Sequence, residues 1–250
     1  MLETSVTAAT MPLGALAPRL QAAGLWGVFG RHLLRVRPEL AVPVDGDAFV
    51  LGGPMHGRYE VGFSWAFGDD ADAIARLLQR PAVRERLHVY VPEAIAADVH
   101  ARVPQLARAA DHLLTCTRPP PGGGAEIVAL TPDTPRERFD PEIADRLPPP
   151  PIWQRFGFAY HGVLDRGVIA SVLETTVDDG DHVAIQQVFT ASAARGRGLG
   201  RALLRTVTAG LCARGRVAVY LCAVDNLASL SLARSAGFAL QRSPALLQQR

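Results

Sequence analysis

Arg195-Gly196-Arg197-Gly198-Leu199-Gly200 is the stretch on which the reading of this chain turns. It follows a segment, residues 182–190, that reads as a strand. It opens a segment, residues 198–213, in which Leu199, Ala202, Leu203, Val207 and Leu211 recur at helical spacing. Strand, glycine-rich turn and amphipathic helix are therefore expected in that order. The first turn of a helix has backbone N–H groups without intrahelical partners, and its dipole end is positive. Glycines let the main chain approach a ligand and adopt unusual dihedrals. Such a turn suits a phosphate or pyrophosphate. Arg195, Arg197 and Arg201 add positive charge at the same place.

Two common phosphate loops fit poorly. A Walker loop needs a lysine, and all 26 basic residues here are arginine. A dinucleotide fingerprint needs G-x-G-x-x-G after the first strand of a βαβ unit. Here Gly196, Gly198 and Gly200 run G-x-G-x-G and lie late in the chain.

The flanking sequence supplies the frame. Residues 126–130 read as a strand and 136–146 as a helix. Residues 156–164 and 168–175 read as a hairpin around Asp165-Arg166-Gly167. Beyond the glycine-rich turn come an apolar strand at 217–223, a helix at 227–235 and a last strand at 238–242. Gly215 stands where a helix ends in the left-handed conformation. The order predicts an α+β, layered mixed sheet with a parallel pair at its centre. The first half alternates less clearly. Strands are expected at 59–67, 87–91 and 112–117, and helices within 13–36, at 69–79 and at 92–109 with a break at Pro104. No internal repeat is apparent. Pro119-Pro120-Pro121-Gly122-Gly123-Gly124 continues neither a helix nor a central strand, and residues 148–151 form a second proline spacer. A boundary is placed there, giving a smaller α/β domain over 1–124 and a second domain over 125–250.

The second domain resembles the GCN5-related N-acetyltransferase (GNAT) superfamily. Residues 195–200 are similar to its R/Q-x-x-G-x-G/A motif. Val188, Phe189 and Thr190 occupy the place of its splayed strand. Asn226, Ser229, Leu232, Gly237 and Phe238 match its closing N-x-x-[AS]-x-x-L-x-x-x-x-G-F pattern. The resemblance implies a sheet whose two central parallel strands part, with the pantetheine arm of acetyl-coenzyme A in the gap. It implies a pyrophosphate on the amides between Gly196 and Arg201, and a backbone N–H near Val188 that stabilises the thioester oxyanion. Asn226 and Ser229 would lie near the arm. The implied reaction is transfer of an acetyl or other acyl group to an amine of a small molecule or protein. No metal is implied. The first domain carries no such match, which leaves open a degenerate copy of the same fold or a separate lid.

Two departures from the family leave the proton chemistry open. Its usual glutamate aligns with Ala184 and its usual tyrosine with Ala233. Glu174 and His182 are the candidate bases. Tyr220, a serine such as Ser229 or Ser231, or water would protonate the leaving thiolate. The alternative is a catalytically inactive acyl-CoA-binding regulatory module.

Composition sets the remaining bounds. With 250 residues, 48% of them hydrophobic, the chain has the material for a real core, in one large domain or two small ones. A formal net charge of +2 gives no reason to expect nucleic acid or an acidic membrane as partner. Cys116, Cys212 and Cys222 are far apart and form no CxxC pair, so neither a disulfide framework nor a zinc site is expected. No stretch approaches the ~18 consecutive apolar residues of a spanning helix. A cytoplasmic protein is expected.

Overall fold

The computed structural model describes residues 9–52, 63–80, 83, 88–121, 126–149, 153 and 157–249. The expected segments at 59–62, 87, 122–124, 150–151 and 156 lie outside these described residues. The chain forms two compact units, Met1–Ala110 with Pro244–Arg250, and Asp111–Ser243. The units thus divide the chain at 110/111 and 243/244 rather than at 124. The prolines at 119–121 connect two strands of one unit.

In chain order the strands are β1 (Thr10–Pro12), β2 (Ala41–Asp45), β3 (Ala48–Gly52), β4 (Phe63–Phe67), β5 (His88–Val91), β6 (Leu106–Cys116), β7 (Ile127–Leu130), β8 (Ala159–Asp165), β9 (Val168–Asp178), β10 (His182–Thr190), β11 (Val217–Ala223), β12 (Ala239–Arg242) and β13 (Ala245–Gln249). The α-helices are α1 (Ala17–Ala22), α2 (Val28–Val36), α3 (Ala71–Gln79), α4 (Ala96–Arg102), α5 (Pro141–Ala144), α6 (Leu199–Ala213) and α7 (Leu227–Ser235).

In the second unit the strand order is β7-β8-β9-β10-β11-β6-β12, with β6 represented by residues 111–116. The β10–β11 pair is parallel and the other pairs are antiparallel. A parallel pair needs a crossover, and α6 supplies it. The mixed sheet expected over this half is present. Its β8–β9 hairpin turns on Arg166 and Gly167 at φ 50° and 88°, the left-handed pair that a two-residue hairpin requires. Strand β9 is buried from residue 169 to residue 177 because both faces of the sheet are covered. On one face Leu173, Val183 and Ile185 pack with Leu203, Leu204, Val207 and Leu211 of α6 and Ala233 of α7. On the other, Tyr160 and Val172 pack with Phe139, Ile143 and Trp153.

The first unit has the order β1-β2-β3-β4-β5-β13-β6, with β6 represented by residues 106–110. Its β4–β5 pair is parallel and the rest are antiparallel. Step for step, this is the pairing scheme of the second unit. The repeat lies in the topology and has no visible trace in the sequence.

Several expected elements differ. Residues 106–109, expected as helix, are the start of β6, because the backbone of β13 pairs with them. The helix expected over 136–146 is a 3-10 turn (Arg136–Arg138) followed by α5, since Pro141 provides no donor to continue the first turn and instead starts the second. The helix within 13–36 is interrupted at Gly24, which has φ 57°. Strands β1, β2, β3 and β13 have no counterpart in the sequence reading.

Strand β13 places Ala245 and Leu247 in the first unit's core, with Leu247 fully buried. Leu247→Ala is expected to destabilise that unit by about 2–5 kcal/mol. Urea unfolding measures this, and a loss below about 1 kcal/mol would remove β13 from that core.

Candidate functional site

The two central strands of the second unit pair for only four residues. His182 lies opposite Val217, Val183 opposite Ala218, Ala184 opposite Val219 and Ile185 opposite Tyr220. Beyond this point β10 runs on to Thr190 and β11 to Ala223 without further pairing between them. The parting coincides with an irregularity on the other side of β10. Ile185 pairs with Thr175 and Gln187 with Glu174, which leaves Gln186 out of register with β9. An extra residue of this kind bends a strand and increases its twist. The result is a fork whose arms are residues 186–190 and 221–223.

The far end of the β10 arm is pinned to β9. Ser171 Oγ donates to the Phe189 carbonyl at 3.1 Å and lies 2.9 Å from Thr190 Oγ1. Helix α6 starts beside it. A Cβ built on Gly200 would stand 3.0 Å from Thr190 Oγ1, so any larger residue here would press on that hydroxyl. Gly196 and Gly198 have φ 74° and 78°, and a Cβ on either would meet nothing within 4 Å. They are glycine for conformation, and they face open space. Gly198 is the N-cap of α6. No side chain caps this helix and its first turn holds no acidic residue. Its leading amides therefore receive no acceptor from the cap residue. They border a cavity of about 290 Å³ lined by Thr190, Arg195, Gly196, Gly198, Gly200 and Arg201, with Ser231 and Ser235 of α7 among the opposite wall.

The arginines divide by role. Arg195 Nε donates to the Thr190 carbonyl at 3.1 Å, and its guanidinium lies 5.6 Å from the centre of the Phe189 ring. Arg197 forks onto Asp165, with one bond of 2.7 Å and a second, shorter one, and this pairing holds the Asp165 carboxyl below its usual range. Arg201 is exposed on the cavity rim. Leu199 packs against the core below the cavity.

Glu174 lies on β9 opposite Gln187, at the root of the β10 arm. It is 4% exposed, and its Oε2 accepts the Tyr160 hydroxyl at 2.8 Å. Burial drives its acidity to about 7, against the opposing pull of the Tyr160 bond. His182 stands elsewhere. It begins β10 at the zipped end, about 26 Å along the strand from Thr190 at ~3.3 Å per residue. Its Nδ1 lies 3.2 Å from Asp179 Oδ2. The structure does not bring His182 to the fork.

Tyr220 forms the last rung of the β10–β11 ladder. Its hydroxyl lies 2.9 Å from Ser229 Oγ on α7, and burial raises its pKa further than the Ser229 bond lowers it. Asn226 caps α7, accepting the Ser229 N–H at 3.0 Å, so its carbonyl serves the helix. Ala184 and Ala233 are both buried. The sequence reading passed over Tyr160 as the partner of Glu174.

Comparisons with known proteins agree with this geometry. The model of the acetyltransferase (GNAT) family matches residues 126–238. Among curated proteins none matches the chain. A Drosophila protein of solved structure is similar over 97% of this chain and 98% of its own, with TM-score 0.66 and 12% identity. A putative GNAT-family acetyltransferase from Novosphingobium aromaticivorans is similar over 89% and 97%, with TM-score 0.56 and 21% identity. A GCN5-related N-acetyltransferase-like protein from Streptococcus suis is similar over 94% and 100%, with TM-score 0.57 and 13% identity. At these identities the likeness is one of fold.

Folding raises Glu174 from 4.5 to about 7, so the folded chain binds more protons than the unfolded chain between these values. Its contribution to stability is complete below 4.5 and is lost as pH rises to about 7. Relative to Glu174→Gln, the wild type should lose on the order of 3 kcal/mol between pH 4 and pH 8. Urea unfolding of both proteins measures this. A pH-independent difference would contradict the burial of the carboxyl group.

Proposed function

We propose, from the match of residues 126–238 to the model of the acetyltransferase (GNAT) family, that the second unit transfers an acetyl group from acetyl-coenzyme A directly to an amine of a small molecule or protein. The observation that carries this reading is the fork beside an uncapped helix start. Backbone groups on the fork arms need partners, and an extended pantetheine amide chain offers them. A diphosphate matches the amides and positive dipole end of α6 in the bordering cavity, next to Arg195 and Arg201. The residues present therefore fit the coenzyme.

The reaction assigns each remaining group a task. The neutral amine attacks the thioester carbonyl, forming a C–N bond as the C–O π pair moves to oxygen. A backbone N–H near Val188 stabilises that oxyanion. Glu174 takes the ammonium proton, directly or through water; its acidity near neutrality suits this. The C–S bond then breaks, and the thiolate takes a proton from Tyr220, which is linked to Ser229. Tyr220 replaces the tyrosine missing at Ala233 in this scheme. Arg197, tied to Asp165, shapes the loop rather than binding phosphate in the free protein.

The first unit shares the strand scheme but, among the described residues, offers a diphosphate no seat at the start of α3. Its α3 follows Asp70, whose carboxylate already accepts the amides of Asp72 and Ala73 at 2.8 and 3.1 Å. Beyond the last β4–β5 pair, Trp65 with Tyr90, the Ala66 carbonyl accepts the Trp26 indole N–H at 3.0 Å. Phe67 stacks on Phe49 with ring centres 4.6 Å apart. Side chains of the chain itself thus satisfy backbone groups at the start of α3 and at Ala66. We read this unit as a copy of the fold that has lost the coenzyme.

Release of free thiol from acetyl-CoA across a panel of amines tests the activity. Tight binding with no release for any acceptor would favour a binding module. Gly198→Asp places a carboxylate at the helix start and is expected to weaken coenzyme binding at least 100-fold in a folded protein, about 3 kcal/mol; unchanged affinity would count against the site. Calorimetry of the wild type should give one coenzyme per chain, and a value of two would refute the reading of the first unit.

A further inference from the structure

The geometry points to Tyr160 as a positioning residue that orients Glu174 and sets its basicity. The inference rests on the reading of Glu174 as the base. Tyr160 on β8 lies directly opposite Glu174 on β9, and the two share the face that carries Val172. The phenol donates to Oε2 at 2.8 Å, and Tyr160 and Glu174 are 2% and 4% exposed. The phenol ring is itself fixed: Trp153 lies 4.2 Å from it, centre to centre, and the Trp153 indole N–H donates to the Pro148 carbonyl at 2.9 Å. A carboxyl group on a flexible stem is thereby held from the side away from β10.

Among the described residues, the charged groups of α5 and its flank that pack on this face have partners other than Glu174. Strand β10 places the uncharged Gln187 opposite Glu174. Helix α5 contributes Glu142, whose carboxylate accepts the amide and hydroxyl of Ser192, each at 3.0 Å. Arg146 lies over the Phe189 ring, 3.9 Å from its centre. On β8 the neighbouring His161 belongs to the opposite face by strand alternation. The acidity of Glu174 is thus set by two opposing causes, burial and the Tyr160 bond. A hydrogen bond donated to an ionised group in a dry setting favours the charged form. Tyr160 therefore keeps Glu174 ionisable near neutral pH, fixes Oε2 and leaves Oε1 to take the substrate proton.

Tyr160→Phe in the full-length chain removes the hydroxyl and keeps the ring against Trp153. The acid limb of the kcat/KM profile should move up by about one to two pH units. KM for acetyl-CoA should stay within about twofold, and turnover should approach the wild-type value above the shifted limb. Fluorotyrosine at position 160, a more acidic donor that preserves the packing, should move the limb the other way. A carbon-13 NMR titration of the Glu174 carboxyl, which needs no turnover, should follow both changes. An unmoved Glu174 titration in folded Tyr160→Phe overturns the inference. If instead Glu174→Gln leaves the pH–rate profile unchanged, the assignment of the base fails, while an NMR shift in Tyr160→Phe still supports the control of Glu174 by Tyr160.

Discussion

A backbone amide or carbonyl buried without a partner is costly, and two neighbouring strands that part inside a sheet create a row of them. In the second unit the parting coincides with two register shifts between β9 and β10, at Thr176 and at Gln186. Gln186 falls out of register with β9, and β10 bends away from β11 after four paired rungs. Nearby features make sense in relation to that bend. Ser171 holds the displaced strand end. Gly200 lets α6 begin against Thr190. Tyr220 occupies the last joined rung and Glu174 the first residue of β9 beside the free arm.

The two units apply one strand scheme to opposite ends. Helix α6 begins without an acidic cap and among arginines, whereas α3 begins under Asp70 and Asp72. An uncapped start keeps donors for a guest; a capped start satisfies them internally and stabilises the helix by about 1 kcal/mol. The same contrast holds at the strands, where an indole covers the Ala66 carbonyl. A binding fork and a packed core differ here by a few side chains, with the pairing of the backbone unchanged.

Local signals explain what could be read from the sequence. Strands β10 and β11 and helix α7 fall at the expected residues, because apolar periodicity and flanking glycines fix them within short windows. The second half of β6 lies where a strand is expected, at 112–117, but its first half did not yield to such reading. Residues 106–110 are Leu, Ala, Arg, Ala and Ala, good helix formers. Their state is decided by a partner strand more than 130 residues away. The Glu174–Tyr160 pair was hidden by register. Counting back from the Arg166-Gly167 turn pairs Asp165 with Val168 and would set Tyr160 against Leu173. A bulge between Val163 and Leu164 shifts the ladder by one residue and brings Tyr160 opposite Glu174. The glycine-rich turn was legible because its chemistry is local; the base was ambiguous because strand neighbours select it.

The place of β13 bears on biosynthesis. A domain made early on the ribosome ordinarily folds while later residues are still being joined, at roughly 5–20 residues per second. Here Pro244–Arg250 belong to the first unit, between β5 and β6 in its sheet. The amino-terminal unit therefore emerges with a slot in its sheet and keeps it until Pro244–Arg250 have been made. Until then those two strand edges are open to chaperones and to mispairing, and β13 closes them.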